Sequence, residues 1–413
     1  MELTATKYKQ TEVGMIPEDW GICELESVSK RVGDGIHSTP KYNDSGKYYF
    51  VNGNNLIDGK ITITENTKRV TEEEFKIHKR ELTTSTILIS INGTIGNLAF
   101  YNNEKIVLGK SAAYINLTDD IDKQFIYQLI QTSQIRDYFE NELTGSTIKN
   151  LGLGSIKRTP IPVPTLTEQK AIAQVLSDMD SLIRALEKKI AKKKDIKKGV
   201  MQKLLTPKEG WLTTSLVELA ENKKSQFDDG DWIESEHIIS EGIRLIQTGN
   251  MGIGSYVDKG NRKYISEASF YKLNCKEVFE GDLLICRLAE PAGRACIMPD
   301  IGEYKVITSV DVTIFRGDSN KVNREFLSQL FSTDGWFQKV MEMVGGTTHK
   351  RISRGALGKI EITIPSKGEQ DKIARILSDM DKETMQLVKK LSKYQLAKKG
   401  MMQQLLTGKI RLV

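Results

Sequence analysis

Residues 168–180 read EQKAIAQVLSDMD and residues 369–381 read EQDKIARILSDMD, one segment written twice at an offset of 201. The offset runs without a gap to KGVMQKLLT (198–206) and KGMMQQLLT (399–407), with about 21 identities over the 39 aligned positions. A repeat of this period restricts the fold more than composition does, because each copy must be one structural unit used twice. It extends upstream, where residues 145–149 face 346–350 and Pro164 faces Pro365. Farther back the register slips, leaving echoes such as Trp20 with Trp211 and Gly53-Asn54 with Gly249-Asn250. The chain therefore carries one scaffold twice and two diverged surfaces.

In the first copy the apolar residues fall at Ile172, Leu176, Met179, Ile183, Leu186, Ile190, Val200 and Leu204. In the second they fall at Ile373, Leu377, Met380, Leu387, Leu391, Tyr394, Met401 and Leu405, with Thr384 in the same phase. Alternating steps of four and three mark a coiled-coil seam, and ~39 residues make a helix of roughly 58 Å. Burying one large aliphatic side chain contributes about 1.5–3 kcal/mol. Eight or so such residues outweigh closing a loop of ~160 residues, whose entropic cost grows only logarithmically. The helices are expected to pair within the chain, antiparallel, with pairing between two chains as the rival. The lysines Lys188, Lys189, Lys192, Lys193, Lys194, Lys197 and Lys198 read first as a solvated coiled-coil face, then as a DNA-backbone or partner contact.

Outside the helices, β-like runs at 48–51, 86–91, 112–117, 283–286 and 306–315 alternate with Gly/Asn turns. Helical patterns follow at 123–141 and 324–343, and Pro160, Pro162 and Pro164 enforce an extended run before Thr167-Glu168 opens the first long helix. The expected fold class is α+β: two mixed α/β domains (1–165 and 207–365) alternate with two long helices (166–206 and 366–413).

No apolar run approaches the ~20 residues of a membrane span, and residues 1–10 are polar. The four cysteines, Cys23, Cys275, Cys286 and Cys296, lack zinc-ligand spacing; buried reduced thiols in a cytoplasmic protein are expected, with a Cys286–Cys296 pair as the alternative. The net charge of +6 divides unevenly, with +5 and +6 on the two helical stretches and −5 on everything else. That distribution counts against broad basic faces on the globular parts.

The two blocks of the form Pro-x-x-x-Glu-Gln…Ile-Ala-x-x-Leu-Ser-Asp-Met-Asp…Lys-Gly-x-Met-Gln-x-Leu-Leu-Thr, at 164–206 and 365–407, resemble the specificity subunits of Type I restriction–modification systems. GDGIHSTPK at 33–41 is similar to the same family. The resemblance spans essentially the whole chain. It implies that each globular domain is a target-recognition domain reading one half of a split site in double-stranded DNA. It also implies helices that set the gap, two docked methyltransferase subunits that use S-adenosylmethionine, and restriction/translocase subunits that cleave. This chain itself would hold no cofactor.

No catalytic constellation emerges. Pro-Pro, needed for an amino-methyltransferase motif, is absent; Gly109-Lys110-Ser111 has Glu104 where a P-loop needs glycine. Gly152/Gly154 and Gly252/Gly254 lack a third glycine, Asp300 and Glu303 sit too close for a nuclease metal pair, and His37, His78, His237 and His349 are scattered. Base edges are read by Arg, Asn, Gln, Lys or short hydroxyl side chains on loops. In the first domain these are Asp34, His37, Thr39, Lys41, Asn54, Asn92, Thr94, Thr147, Lys149 and Asn150. In the second they are Gln247, Asn250, Arg287, Arg294, His349, Lys350, Arg351 and Arg354. Two other readings stay open: the specificity component of a related Type II system with a fused methyltransferase–nuclease, and a tandem-domain protein scaffold that never touches DNA.

Overall fold

The computed structural model describes residues 7–145, 149–288, 290–345 and 350–412. The chain divides into two compact units, one of residues 1–187 with 389–413, the other of residues 188–388. The boundary falls inside both long helices, Leu166–Leu205 and Lys367–Leu405, of 40 and 39 residues.

Each unit contains the same head. In the first, a four-stranded antiparallel sheet has the order Leu98–Phe100, Thr86–Ser90, Ala112–Leu117, Ser29–Asp34. Beside it Tyr48–Val51 pairs in parallel with Ile106–Leu108 and antiparallel with Arg69–Val70. In the second, Ala295–Ile297, Leu283–Cys286, Val312–Phe315 and Phe227–Asp229 form the antiparallel sheet. Ile243–Ile246 again runs parallel to Val306–Thr308, with Lys263–Ile265 antiparallel on its other side. The central strands of both sheets are buried throughout; their residues are mostly apolar, and among the buried polar ones Thr86 donates to Asn116 Oδ1 at 2.6 Å. Sequence similarity between the heads is faint, yet strand order and sense are retained.

The helical patterns at 123–141 and 324–343 are each two helices, not one. Lys123–Ile130 is followed by Ser133–Asn141, and Arg324–Leu330 by Asp334–Met343. The breaks come from threonine: the hydroxyls of Thr132 and Thr333 accept hydrogen bonds from the Ile135 and Trp336 amides and so cap a new helix. The run at 306–315 likewise splits into two strands.

Within each unit the long-helix segments pack antiparallel. In the first unit Lys398 Nζ lies 2.6 Å from Asp180, and Ile172 and Leu176 share a core with Leu405 and Leu406. In the second, Lys197 lies 2.6 Å from Asp381, Lys193 2.7 Å from Glu383, and Leu205 joins Ile373 and Leu377. The lysine run is thus not uniformly a solvated face, since Lys193 and Lys197 reach carboxylates on the facing helix.

The duplicated letters acquire physical meaning here. Gln169 and Gln370, both buried, donate from Nε2 to the carbonyls of Pro164 and Pro365 at 2.9 Å. Their Oε1 atoms accept from the amides of Asp122 and Asn323, also at 2.9 Å, fastening the helix start to the head. Asp180 and Asp381 accept from Gln128 and Gln329 of the heads at 2.7 and 2.8 Å. Each aspartate therefore ties its own head to the opposite helix.

The first unit has an additional clasp. Glu168, fully buried, accepts from Trp20 Nε1 at 3.1 Å and from Arg411, which also reaches Asp19. The hydrogen bonds Arg411 donates, led by that to Glu168, raise its pKa. All four cysteines are free thiols; burial pushes Cys296 up to about 12 and Cys275 to about 11. Removing one partner of a buried ion pair strands the other charge. Arg411→Ala is therefore expected to cost about 3 kcal/mol of unfolding free energy, read by urea melts followed through Trp20 fluorescence. Arg411→Ala with Glu168→Gln should recover part of that loss.

Candidate nucleic-acid interface

One end of the sheets gathers the loops of each head. In the first, Gly35 follows the strand Ser29–Asp34 and lies so close to the Leu108 and Gly109 carbonyls that any Cβ would collide with them. Gly230 makes the same approach to Thr308 and Ser309. The next residues, Ile36 and Asp231, donate backbone N–H to the Leu108 and Thr308 carbonyls at 2.8 and 2.9 Å. These contacts align the heads residue by residue, pairing Asp34 with Asp229 and His37 with Trp232.

A 3-10 turn follows the parallel strand in both heads, Gly53–Asn55 and Thr248–Asn250, closed by reciprocal capping from Asn52/Asn55 and Gln247/Asn250. Ser111 fixes the first turn, accepting from the Gly53 amide and donating to Asn52 Oδ1, both at 2.9 Å. A third loop joins by isolated bridges, Asn92 to Asn150 in the first head and Leu288 to Arg351 in the second.

Most first-head candidates converge on this end. His37 is exposed and hydrogen-bonded through Nε2 to Asp34 at 2.7 Å. Thr39, Lys41, Asn54 and Thr94 are exposed, and Asn92 and Asn150 half-buried. Lys149, exposed, lies 3.7 Å from Glu140. Thr147 and His349 fall outside the described residues.

The second head corrects the sequence reading at several positions. Arg287 is buried and donates to the Ile352 and Val310 carbonyls, with Asp229 3.0 Å away. Burial lowers its pKa and Asp229 opposes the shift. Arg294 is spent on four carbonyls, those of Thr248, Met251, Leu288 and Pro291. Asn250 is a buried turn residue whose amide donates to Val257. These three side chains brace the loops and present nothing to a duplex. Arg354 opens a helix and is paired to Asp228. Lys350 is exposed, Arg351 is partly exposed with Asp311 2.8 Å from its Nε, and Gln247 is half-buried.

Position 91 explains how the heads diverged. Ile91 and Arg287 make equivalent backbone bonds, donating to the Ser111 and Asp311 carbonyls and accepting from Leu151 and Ile352. Where the residue is arginine it takes Asp229; where it is isoleucine, Asp34 accepts from His37. Sequence reasoning missed a cleft of about 430 Å³ in the second head, lined by Trp232, Gln247, Lys259, Asn261, Lys263 and Asp311 among others. Trp232 could have been found only by aligning Gly230 with Gly35. Among the described residues no cluster of His, Cys, Asp or Glu suits a metal ion, and no helix is long and apolar enough to cross a membrane.

Residues 17–197 and 209–394 match the Type I restriction modification DNA specificity domain. The chain belongs to this family. Its members are recognition components and not catalysts, and this chain is a non-catalytic one. A Methanocaldococcus jannaschii chain named as the MjaX type I restriction enzyme specificity subunit is 28% identical, covering 98% of this chain and 97% of its own. The EcoKI specificity subunit of Escherichia coli K12 is 22% identical over 88% of this chain and 82% of its own. The S subunit from M. genitalium has the same fold, with a TM-score of 0.60 at 18% identity over 98% of both chains.

The internal duty of Arg287 is separable from recognition. Arg287→Met leaves Asp229 without its charge partner and should cost the second unit about 3 kcal/mol, measured by hydrogen exchange of the strand Val312–Phe315. Unchanged exchange there would return Arg287 to the surface.

Proposed function

We propose that this chain reads a bipartite site in double-stranded DNA for a Type I restriction–modification assembly, one half-site for each head. The observation that carries the reading is the paired geometry of the heads. Both present the same three loops from the same sheet end, on the same backbone hydrogen bonds, but with different side chains. A protein that must address two unlike words needs this combination. In the first head the reading set comprises Asp34, His37, Thr39, Lys41, Asn54, Asn92, Thr94, Lys149 and Asn150, with Thr147. In the second it comprises Gln247, Lys350 and Arg351, with His349.

The acidic balance of the heads does not oppose this reading. Asp228, Asp229, Asp231, Asp282 and Asp311 all lie in ion pairs with Lys or Arg of the same head, so their charge is largely spent locally. The paired helices serve as the spacer, with recognition domains at 1–165 and 207–365 and helices at 166–206 and 366–413. Beyond the seam they expose Leu182, Ile196, Ile376, Met385 and Leu396, apolar surface suited to two docked methyltransferase subunits. Adenine methylation with S-adenosylmethionine belongs to those subunits and cleavage to restriction/translocase subunits, in the cytoplasm.

The test is to map methylated adenines in cells carrying the intact system. A split motif with an unread gap is expected; an uninterrupted word would sink the reading. Inserting about one helical turn, 5.4 Å, into both helices should lengthen the gap by one or two base pairs and leave both half-sites as they were. Lys350→Ala with Arg351→Ala should weaken binding of the assembly to DNA of any sequence and flatten its salt dependence by about one to two counterions. Arg354→Ala should leave the slope alone.

A further inference from the structure

Trp232 is largely exposed, with 69% of its surface facing solvent. An indole this open offers a large flat apolar surface to a partner, and its place beside a cleft supplies a site for one. The ring lines the cleft of about 430 Å³ described above. Lys259 and Lys263 line the same cleft, and neither takes part in an ion pair among the described residues. Gln247 and Asn261 add two amides that can both donate and accept. The two carboxylates present are committed, Asp231 to Lys276 at 2.9 Å and Asp311 to Arg351 at 2.8 Å. An apolar plate with free cations and amides around it fits a polyanion with flat, hydrogen-bonding edges better than it fits an apolar protein surface.

The equivalent place in the first head carries His37, also a ring and 73% exposed. Ring exposure is thus retained at one backbone position, behind the same Asp-Gly pair, while the side chain that holds the aspartate has changed. In the first head the ring is held by Asp34; in the second Asp229 is held by Arg287, so Trp232 has no such tether and most of its indole faces solvent.

We propose that Trp232 is a specificity-determining residue of the second head, its indole lying against a base pair of that head's half-site while Lys259 and Lys263 contact the flanking phosphates. This rests on the DNA-reading function proposed above. Because the side chain is exposed, its replacement leaves the core intact, and Trp232→Phe serves as the conservative control.

The experiment maps methylated adenines in cells carrying the whole system with the wild-type chain, Trp232→Ala or Trp232→Phe. With Trp232→Ala, one position in one half of the motif should lose discrimination by about 10-fold, the other half staying as sharp as before. Trp232→Phe should restore most of it. If wild-type cells yield a split motif and Trp232→Ala leaves both halves unchanged, or weakens methylation evenly without changing the motif, the assignment is overturned while the function stands. An even loss is also what occupancy of the cleft by a protein partner would give. If wild-type cells yield no split motif, the function itself fails and the assignment falls with it.

Discussion

Everything in this molecule is organised around a carboxylate that has to be satisfied from two directions. Asp180 sits on the first long helix, and its charge is shared between Lys398 of the facing helix and Gln128 of the adjoining head. Asp381 repeats the arrangement with Lys197 and Gln329. A partly buried aspartate is costly unless it is both paired and hydrogen-bonded. The same group that registers helix on helix therefore also registers head on helix, and the two cannot drift independently. This is why the repeat is strictest at Ser-Asp-Met-Asp and Lys-Lys-Gly: these letters encode one node made from three elements.

With the scaffold fixed this way, the heads are free to change. Their strand order survives because main-chain contacts impose it: Gly35 and Gly230 must be glycine where the chain presses against two carbonyls, and the capped turns at 52–55 and 247–250 close on their own side chains. The outward positions carry no such obligation. Between the heads, isoleucine becomes arginine at 91 and 287, and histidine becomes tryptophan at 37 and 232, without moving the backbone bonds that frame them. A frame that does not depend on the side chains it displays can be adapted to a new ligand edge without being rebuilt.

How far the sequence could be read follows from the range of the interactions. The long helices were legible because their seam repeats every three and four residues, and the antiparallel pairing followed from the need to cover it. The split at Thr132 and Thr333 was missed because the apolar pattern of each helix pair runs on across the hydroxyl pairs Thr132-Ser133 and Ser332-Thr333. Arg287 and Arg294 looked like readers because arginine's fork suits guanine, although Arg287 follows an apolar strand that also suits a buried structural role. Their burial depends on Asp229 and on carbonyls of residues 248 and 251, which only the folded sheet brings near. Trp232 carried no motif at all; its meaning comes from standing where His37 stands.

Net charge and local pairing describe the second head differently. The globular regions are acidic by five, which by itself argues against a polyanion as partner. Yet the acids near the sheet end of the second head are bound: Asp228 to Arg354 and Lys276, Asp229 to Arg287, Asp231 to Lys276, Asp311 to Arg351. At physiological salt an unpaired surface charge is felt over roughly 8 Å, so an approaching duplex meets the local set and not the total. That set includes Lys259, Lys263 and Lys350, cations with no carboxylate of the described residues in contact. Bound acids still serve as acceptors, and carboxylate oxygens at the rim of such a cleft suit the amino groups of cytosine and adenine. With the acids paired and these lysines unpaired, the local field at this end of the sheets is cationic although the head as a whole is acidic.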